Sequence, residues 1–215
     1  MLTQGTLKAA TTAATSQFTG DVSCHLGDRL AVVYPATTFE DIGYYTISLT
    51  GQNGTLDKVA TNFHYVMGIA TVTSVTETTA TATIGKMKSL LTLCKFSFKD
   101  KATEDVIPVS TLEISFGGTG SDANKYPQSA TVSFEKSTPQ ADVHAVAADV
   151  TTAPLSITLP SAQDEVYVAL MPTTNVAAPF KFTVTNSSGT YMGTANAVLK
   201  EGEYVVATGL KLTKQ

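Results

Sequence analysis

The chain has 215 residues, of which 43% are hydrophobic and 15% charged, and this length can bury a core without disulfides. Its 14 basic and 18 acidic residues give a net charge of -4, which leaves no cationic surplus for phosphates and argues against a nucleic-acid partner. Roughly one residue in six is threonine, which together with valine, isoleucine, tyrosine and phenylalanine predicts an almost entirely β protein.

Membrane insertion through a helix is not predicted. The apolar runs, such as "LAVVY" and "VYVALM", are far shorter than the roughly 18 residues that cross a bilayer. Met1 is not followed by a basic region and an apolar signal core. An exported form would therefore carry its targeting segment outside this sequence, and the lack of a signal is no argument for the cytoplasm.

The first half of the chain begins with a Thr/Ala-rich stretch, residues 2–21, that is either a mobile arm or a loosely held strand. Short runs with strand composition follow: "RLAVVYP", "YYTISLT", "NFHYVMG", "IATVTSV", "TATATI", "LLTLCKFSF" and "STLEISF". One helical turn is predicted in "TLDKVATNF", where Thr55 caps it and the chain becomes extended again at Asn62 and Phe63.

The segment from Gly117 to Pro127, "GGTGSDANKYP", is rich in glycine and polar turn-forming residues and has almost no apolar ones. This composition predicts a connection between domains. Six further strand-like segments follow, with a hairpin turn predicted at Asn186 to Gly189. We therefore predict two antiparallel β-sandwich domains, residues 1–118 and 119–215, with one continuous sandwich as the alternative.

The closing segment, "LKEGEYVVATGLKLTKQ", reads as a turn followed by a strand. Its apolar positions alternate, which predicts one face made of Tyr204, Val206, Thr208, Leu210 and Leu212. Such a strand can be an interior member of a sheet, an edge, or a segment offered to another molecule. In the last case these five residues are a candidate strand-exchange face for assembly.

No catalytic residue, metal ligand or cofactor site is predicted. His25, His64 and His144 lack metal-ligand spacing, and no serine lies in a G-x-S-x-G elbow. Acidic pairs at 40–41, 104–105 and 164–165 are the only support for a glycoside hydrolase, which needs two carboxylates facing each other across a cleft. Cys24 and Cys94 are predicted to be free thiols, with a disulfide as the alternative.

A sugar-binding surface would need exposed aromatic rings, and the chain has eight tyrosines but no tryptophan. Tyr44 and Tyr45 are adjacent, so a regular strand exposes one of them. Both are therefore candidate ligand-facing aromatics, although a strand tyrosine with a half-packed ring and a wet hydroxyl is the simpler interpretation.

Several stretches, taken in order, resemble the fimbrillin-like proteins of Bacteroides and their relatives. In the first half they are "DRLAVVYP" at 28–35 and "QNGTLDKVATNFHYVMG" at 52–68. In the second half they are "VYVALMP" at 166–172, "FKFTVTNSSGTY" at 180–191 and "LKEGEYVVATGLKL" at 199–212. Glu201, Gly202, Glu203 and Tyr204 stand where the closing Gly and Tyr of the family occur, in matching order.

This resemblance implies two transthyretin-like β-sandwich domains, export as a lipoprotein, and a place at the cell surface or outer membrane in a fimbrium. Its stalk members lose an N-terminal strand to a protease, and the vacated groove accepts a strand from the next subunit. Here the lipidated cysteine is absent, and the only arginine, Arg29, lies within a predicted strand, whereas Lys8 lies in the loose arm.

The sequence therefore predicts a non-enzymatic fimbrial subunit that assembles by strand donation and contributes to adhesion. Its expected partners are other fimbrial subunits, together with a host protein or glycan, and it meets the membrane only through a lipid anchor. The alternative is a monomeric surface lipoprotein that binds a glycan or a host protein.

Overall fold

The structure is a computed structural model that describes residues 5–11, 16–36, 44–134, 143–173 and 178–215. Within these ranges the chain forms sixteen strands and one short helical segment. The prediction of an all-β protein is therefore confirmed. No helix in the described ranges is long and apolar enough to span a membrane.

The strands differ in length from two to eleven residues. They are β1 (Lys8–Ala9), β2 (Phe18–Thr19), β3 (Arg29–Tyr34), β4 (Tyr44–Ser48), β5 (Val66–Val75), β6 (Ala80–Ile84), β7 (Lys88–Ser89), β8 (Thr92–Asp100), β9 (Val109–Phe116), β10 (Tyr126–Phe134), β11 (Val143–Ala153), β12 (Leu155–Gln163), β13 (Val166–Leu170), β14 (Ala178–Asn186), β15 (Gly189–Ala197) and β16 (Tyr204–Lys214).

The helical segment lies between β4 and β5. It consists of helix α1 (Leu56–Lys58) and a π-helical turn (Val59–Phe63). The predicted cap is confirmed, because the Thr55 hydroxyl accepts a hydrogen bond from the backbone N–H of Lys58 at 3.2 Å. The helical conformation continues to Phe63 instead of becoming extended at Asn62, and it buries Val59 and Phe63 in the core.

The described strands form four sheets. The largest has seven strands in the order β12-β9-β14-β15-β16-β8-β13, and a three-stranded sheet has the order β11-β10-β4. A third sheet has the order β3-β5-β6 with β7 beside β5, and β1 pairs with β2. Neighbouring strands are antiparallel except for β16 and β8, which are parallel.

The seven-stranded sheet takes strands from both sides of residues 118 and 119, where we predicted a domain boundary. β8 and β9 precede that point, yet they belong to the same sheet as β12 to β16. One buried core cluster also extends from Tyr45 to Leu212. Residues 117–125 do form a loop, so their Gly-rich composition indicates a turn between two strands rather than a division of the sheet.

The core of the large sheet is built on alternation along its strands. On β8, Thr92, Cys94, Phe96 and Phe98 are buried, while the residues between them are partly exposed. The rings of Phe96 and Phe182 are 5.3 Å apart in an edge-to-face arrangement, and those of Phe98 and Phe182 are 5.7 Å apart. Each buried phenylalanine contributes about 2–3 kcal/mol through the area it removes from water.

The hairpin between β14 and β15 was predicted correctly. Asn186 pairs with Gly189, so only two residues form the turn. The Asn186 side chain accepts a hydrogen bond from the N–H of Ser188 at 2.8 Å and donates one to the carbonyl of Pro108 at 2.7 Å. Gly189 has φ +136°, a conformation that glycine adopts easily.

Candidate assembly site

The closing strand β16 is an interior member of the large sheet. It pairs with β8 in parallel from Tyr204 opposite Leu93 to Leu212 opposite Asp100. On its other side, Lys214 and Thr213 pair with Tyr191 and Met192 of β15. Donating this strand to another subunit would therefore break the sheet of its own chain.

The single apolar face predicted for β16 is wrong, because a β-bulge divides it. Tyr204, Val206 and Thr208 are exposed, whereas Leu210 is half-buried and Leu212 is buried. The register shifts between Ala207 and Leu210, and an extra residue in one strand turns the following side chains to the other face. Gly209 supplies the bulge with φ +66°, and its N–H donates to the Ser97 hydroxyl at 2.9 Å.

The outer face of β16 combines exposed apolar side chains with an ion pair. Tyr204 and Val206 are 56% and 54% exposed. Val206 lies opposite Lys95, whose Nζ is 2.6 Å from Glu165 and 5.8 Å from the ring centre of Tyr167. The hydrogen bond to Glu165 raises the pKa of Lys95, and the nearby charge adds to this effect.

The two tyrosines predicted to face a ligand do not form a surface platform among the described side chains. Tyr45 is 1% exposed, because β4 turns it inward together with Ile47 at the core. Its burial raises the pKa of its hydroxyl, and Tyr65 adds to the shift. The side chain of Tyr44 lies outside the described part of the structure.

A surface that sequence reasoning missed lies beneath the N-terminal segment, residues 5–11 and 16–24. In this segment Lys8 pairs with Thr19 and Ala9 with Phe18, and these two strands join no other described sheet. Phe18 and Leu7 remain 47% and 37% exposed. The segment is therefore a small hairpin laid over the main body rather than a member of its sheets.

A cleft of about 1520 Å³ separates this segment from the β3-β5-β6 sheet. The floor of the cleft carries small and medium apolar side chains, namely Leu30, Val32, Ala70, Val72, Ala82 and Ile84. Ala70 and Val72 of β5 are buried at this floor. The cleft thus places an apolar sheet face beneath the N-terminal segment, whose Leu7 and Phe18 remain partly exposed.

The outer edge of β13 in the large sheet is covered by Gln52. The Gln52 amide oxygen accepts a hydrogen bond from the N–H of Ala169 at 2.7 Å. Its amide nitrogen donates to the carbonyls of Ala169 at 3.0 Å and Leu49 at 3.1 Å. The Gly54 carbonyl accepts from the N–H of Tyr167, so side chain and loop together occupy the positions of a neighbouring strand.

The opposite edge of the large sheet is β12, which carries Pro160 near its middle. Proline has no N–H to offer a neighbouring strand and is characteristic of protected edges. Both edges of the large sheet therefore discourage strand addition. The cleft beneath the N-terminal segment, by contrast, presents an apolar sheet face that an incoming strand could cover.

Neither of the two described acidic pairs, 104–105 and 164–165, lines this cleft. Glu104 forms an ion pair with Lys211, which lowers the pKa of its carboxyl group, and Glu165 pairs with Lys95. A general acid needs a raised pKa, so Glu104 is shifted in the wrong direction. The pair at 40–41 lies outside the described residues.

The three histidines also fall at unrelated positions. His25 is exposed beside Asp28, and its Nδ1 is 3.5 Å from that carboxylate. His64 follows the π-helical turn, and partial burial lowers its pKa. The His144 side chain is outside the described part. Among the described residues, no three His, Cys, Asp or Glu side chains are grouped to hold a metal ion.

We expect Cys24 to react with iodoacetamide at pH 8 well before Cys94. Both thiols are free, as predicted. Cys94 is 1% exposed and burial raises the pKa of its thiol to about 12, so the reactive thiolate is scarce at pH 8. Cys24 is half-buried at the cleft. Peptide mapping after brief labelling measures the order, and Cys24→Ser should remove the fast step. Equal labelling of both cysteines in the folded protein would contradict this prediction.

No protein-family model matches the chain, and no curated protein matches it. The assignment of a function therefore depends on the order of the sequence motifs and on the geometry of the cleft.

Proposed function

We propose that this protein is a non-enzymatic, fimbrillin-like subunit of a surface fimbrium that joins its neighbours by β-strand insertion and contributes to adhesion. The observation that carries the proposal is the apolar face of the β3-β5-β6 sheet beneath the N-terminal hairpin. The all-β architecture and the ordered motifs agree with it. In such a subunit, the large sheet and the β11-β10-β4 sheet, which share one core, would form one transthyretin-like sandwich, and the β3-β5-β6 sheet would contribute to the other.

The N-terminal hairpin is the segment that an incoming strand would replace. It contributes apolar side chains, among them Leu7 and Phe18, to the wall of the cleft but leaves these two partly exposed. A longer apolar strand from another subunit would bury more of the floor. Its main-chain groups would pair with an outer strand of the sheet, β3 or β6, which would fix its register. Since β16 is built into its own sheet, the inserted strand in this proposal is a different segment of the partner.

In this proposal the protein is exported to the cell surface and is attached to the outer membrane through a lipid anchor outside this sequence. Its partners are subunits of the same or a related type.

Native surface extract run in SDS with and without boiling, then blotted for this chain, tests the assembly. A ladder that collapses on boiling is expected, and a single monomer band in both lanes would favour the monomeric surface lipoprotein that binds a glycan or host protein.

A substitution in the floor of the cleft should separate assembly from folding. We expect Ala82→Trp to remove the ladder while the monomer remains folded, because Ala82 is exposed and an indole ring there occupies the space of the inserted strand. Thr71→Trp is the matched control, since Thr71 is exposed on β5 and does not line the cleft. Circular dichroism verifies the fold of each variant, and an unchanged ladder in Ala82→Trp would contradict the location of the site.

A further inference from the structure

A second opening lies within the large sheet, between β15 and β16. These strands pair only at their ends, through Tyr191 with Lys214 and Met192 with Thr213. Beyond Gly193, which still lies close to Lys211 and Leu212, they diverge, so that residues 194–197 and 204–210 form no ladder with each other. The divergence leaves a cavity of about 140 Å³ that is lined by residues of both strands, and we call the gap between the strands its mouth.

The walls of the cavity are almost entirely apolar. Its floor is formed by Phe96, Phe180 and Phe182, which are at most 5% exposed. Half-buried Ala195 and Ala207 stand at the mouth, one on each strand. The one polar residue beside the cavity is Asn196, which is exposed, and alternation along β15 directs its side chain away from the interior.

Such a space is poorly suited to water. A buried water needs two to four polar partners, and these walls offer carbon atoms. An apolar cavity of about 150 Å³ in another protein stays dry and binds benzene, so this volume accommodates one ring. The three phenylalanines provide ring faces and edges against which a further aromatic ring packs favourably.

We propose that this cavity is a binding site for a small aromatic molecule that carries at most one polar substituent. The ring would enter between Ala195 and Ala207 and pack on the phenylalanine floor. A hydroxyl or amine on the ring would lie at the mouth, where the main-chain N–H and C=O groups of the diverging strands are not paired across the gap. This site is separate from the cleft and does not depend on the proposed assembly.

Benzene and phenol are suitable probes, and methyl NMR of the full chain is a suitable measurement. The methyl groups of Leu170, Leu199, Val205 and Leu210 line the cavity and should shift in a saturable manner. Phenol should bind at least as well as benzene if the mouth accepts its hydroxyl. No saturable shift with either probe would overturn the proposal.

Filling the cavity provides the specific control. Ala207→Leu should weaken the binding of both probes by about tenfold or more and raise the melting temperature of the protein, because the added side chain occupies the same space. Thr208→Leu adds a comparable side chain on the exposed face of β16 and should leave binding unchanged. If Ala207→Leu does not fold, Ala195→Val fills the cavity from β15. Undiminished binding in a folded filled variant would overturn the location of the site.

Discussion

Leu212→Asp should unfold the isolated chain, or reduce the free energy of unfolding by more than about 4 kcal/mol, because it places an unpaired charge in the core. Leu212 is 1% exposed on β16. It also packs closely against β15, where a β-carbon added to Gly193 would lie only 2.6 Å from Leu212 Cδ2. Urea denaturation followed by circular dichroism measures the effect.

Val206→Asp is the control for this substitution. It introduces the same charge on the same strand, but Val206 is 54% exposed on the opposite side of the bulge, so we expect a cost within about 1 kcal/mol. A Leu212→Asp monomer as stable as the unmodified chain, combined with failed assembly, would show that β16 is the donated strand. The two variants thus distinguish packing within the chain from contact between chains.

Gln52→Leu should lower the free energy of unfolding by about 2–4 kcal/mol, because it leaves buried main-chain groups without partners. Gln52 is 4% exposed, and its amide makes three hydrogen bonds, two with Ala169 and one with Leu49. Leucine has nearly the same volume but offers neither a donor nor an acceptor. Urea denaturation again gives the magnitude.

Gln163→Leu makes the same chemical change at an exposed position at the end of β12 and should cost less than about 0.5 kcal/mol. The variant at Gln52 also removes the cover from the edge of β13, so light scattering should detect more self-association than in the control. A loss below about 1 kcal/mol in Gln52→Leu would mean that these hydrogen bonds are readily replaced by water.

Local structure was largely predictable from the sequence. The hairpin at Asn186 to Gly189 and the cap by Thr55 follow from turn and capping residues whose partners are within a few positions. Alternation likewise identifies most strands of the large sheet. In these cases the interactions that determine the structure are short-range, so the sequence pattern contains them.

The features that the sequence did not reveal depend on interactions between distant residues. Composition around Gly117 predicted a boundary, but whether β9 pairs with β12 and β14 depends on segments tens of residues away. On β16, Gly209 was available as a signal for a bulge, yet strict alternation was assumed across it. The role of Gln52 was hidden because its partner, Ala169, lies 117 residues further along the chain.

The candidate site was missed for a related reason. Leu30, Ala70 and Ala82 belong to three different strands, and none of them alone indicates a cleft. The Thr/Ala-rich N-terminal stretch was predicted to be either a mobile arm or a loosely held strand, but its position over β3-β5-β6 is a tertiary feature. Only the strand pairing brings these residues onto one floor.

The parallel pairing of β16 with β8 also determines when, during synthesis, the large sheet can be completed. β8 is complete at Asp100, but the strand that occupies one of its sides begins at Tyr204, more than a hundred residues later. Until that segment has left the ribosome, this side of β8 is an open edge on a growing chain, and pairings of such large sequence separation form slowly. A factor that holds the nascent chain unfolded would therefore serve this protein better than early folding of its first half.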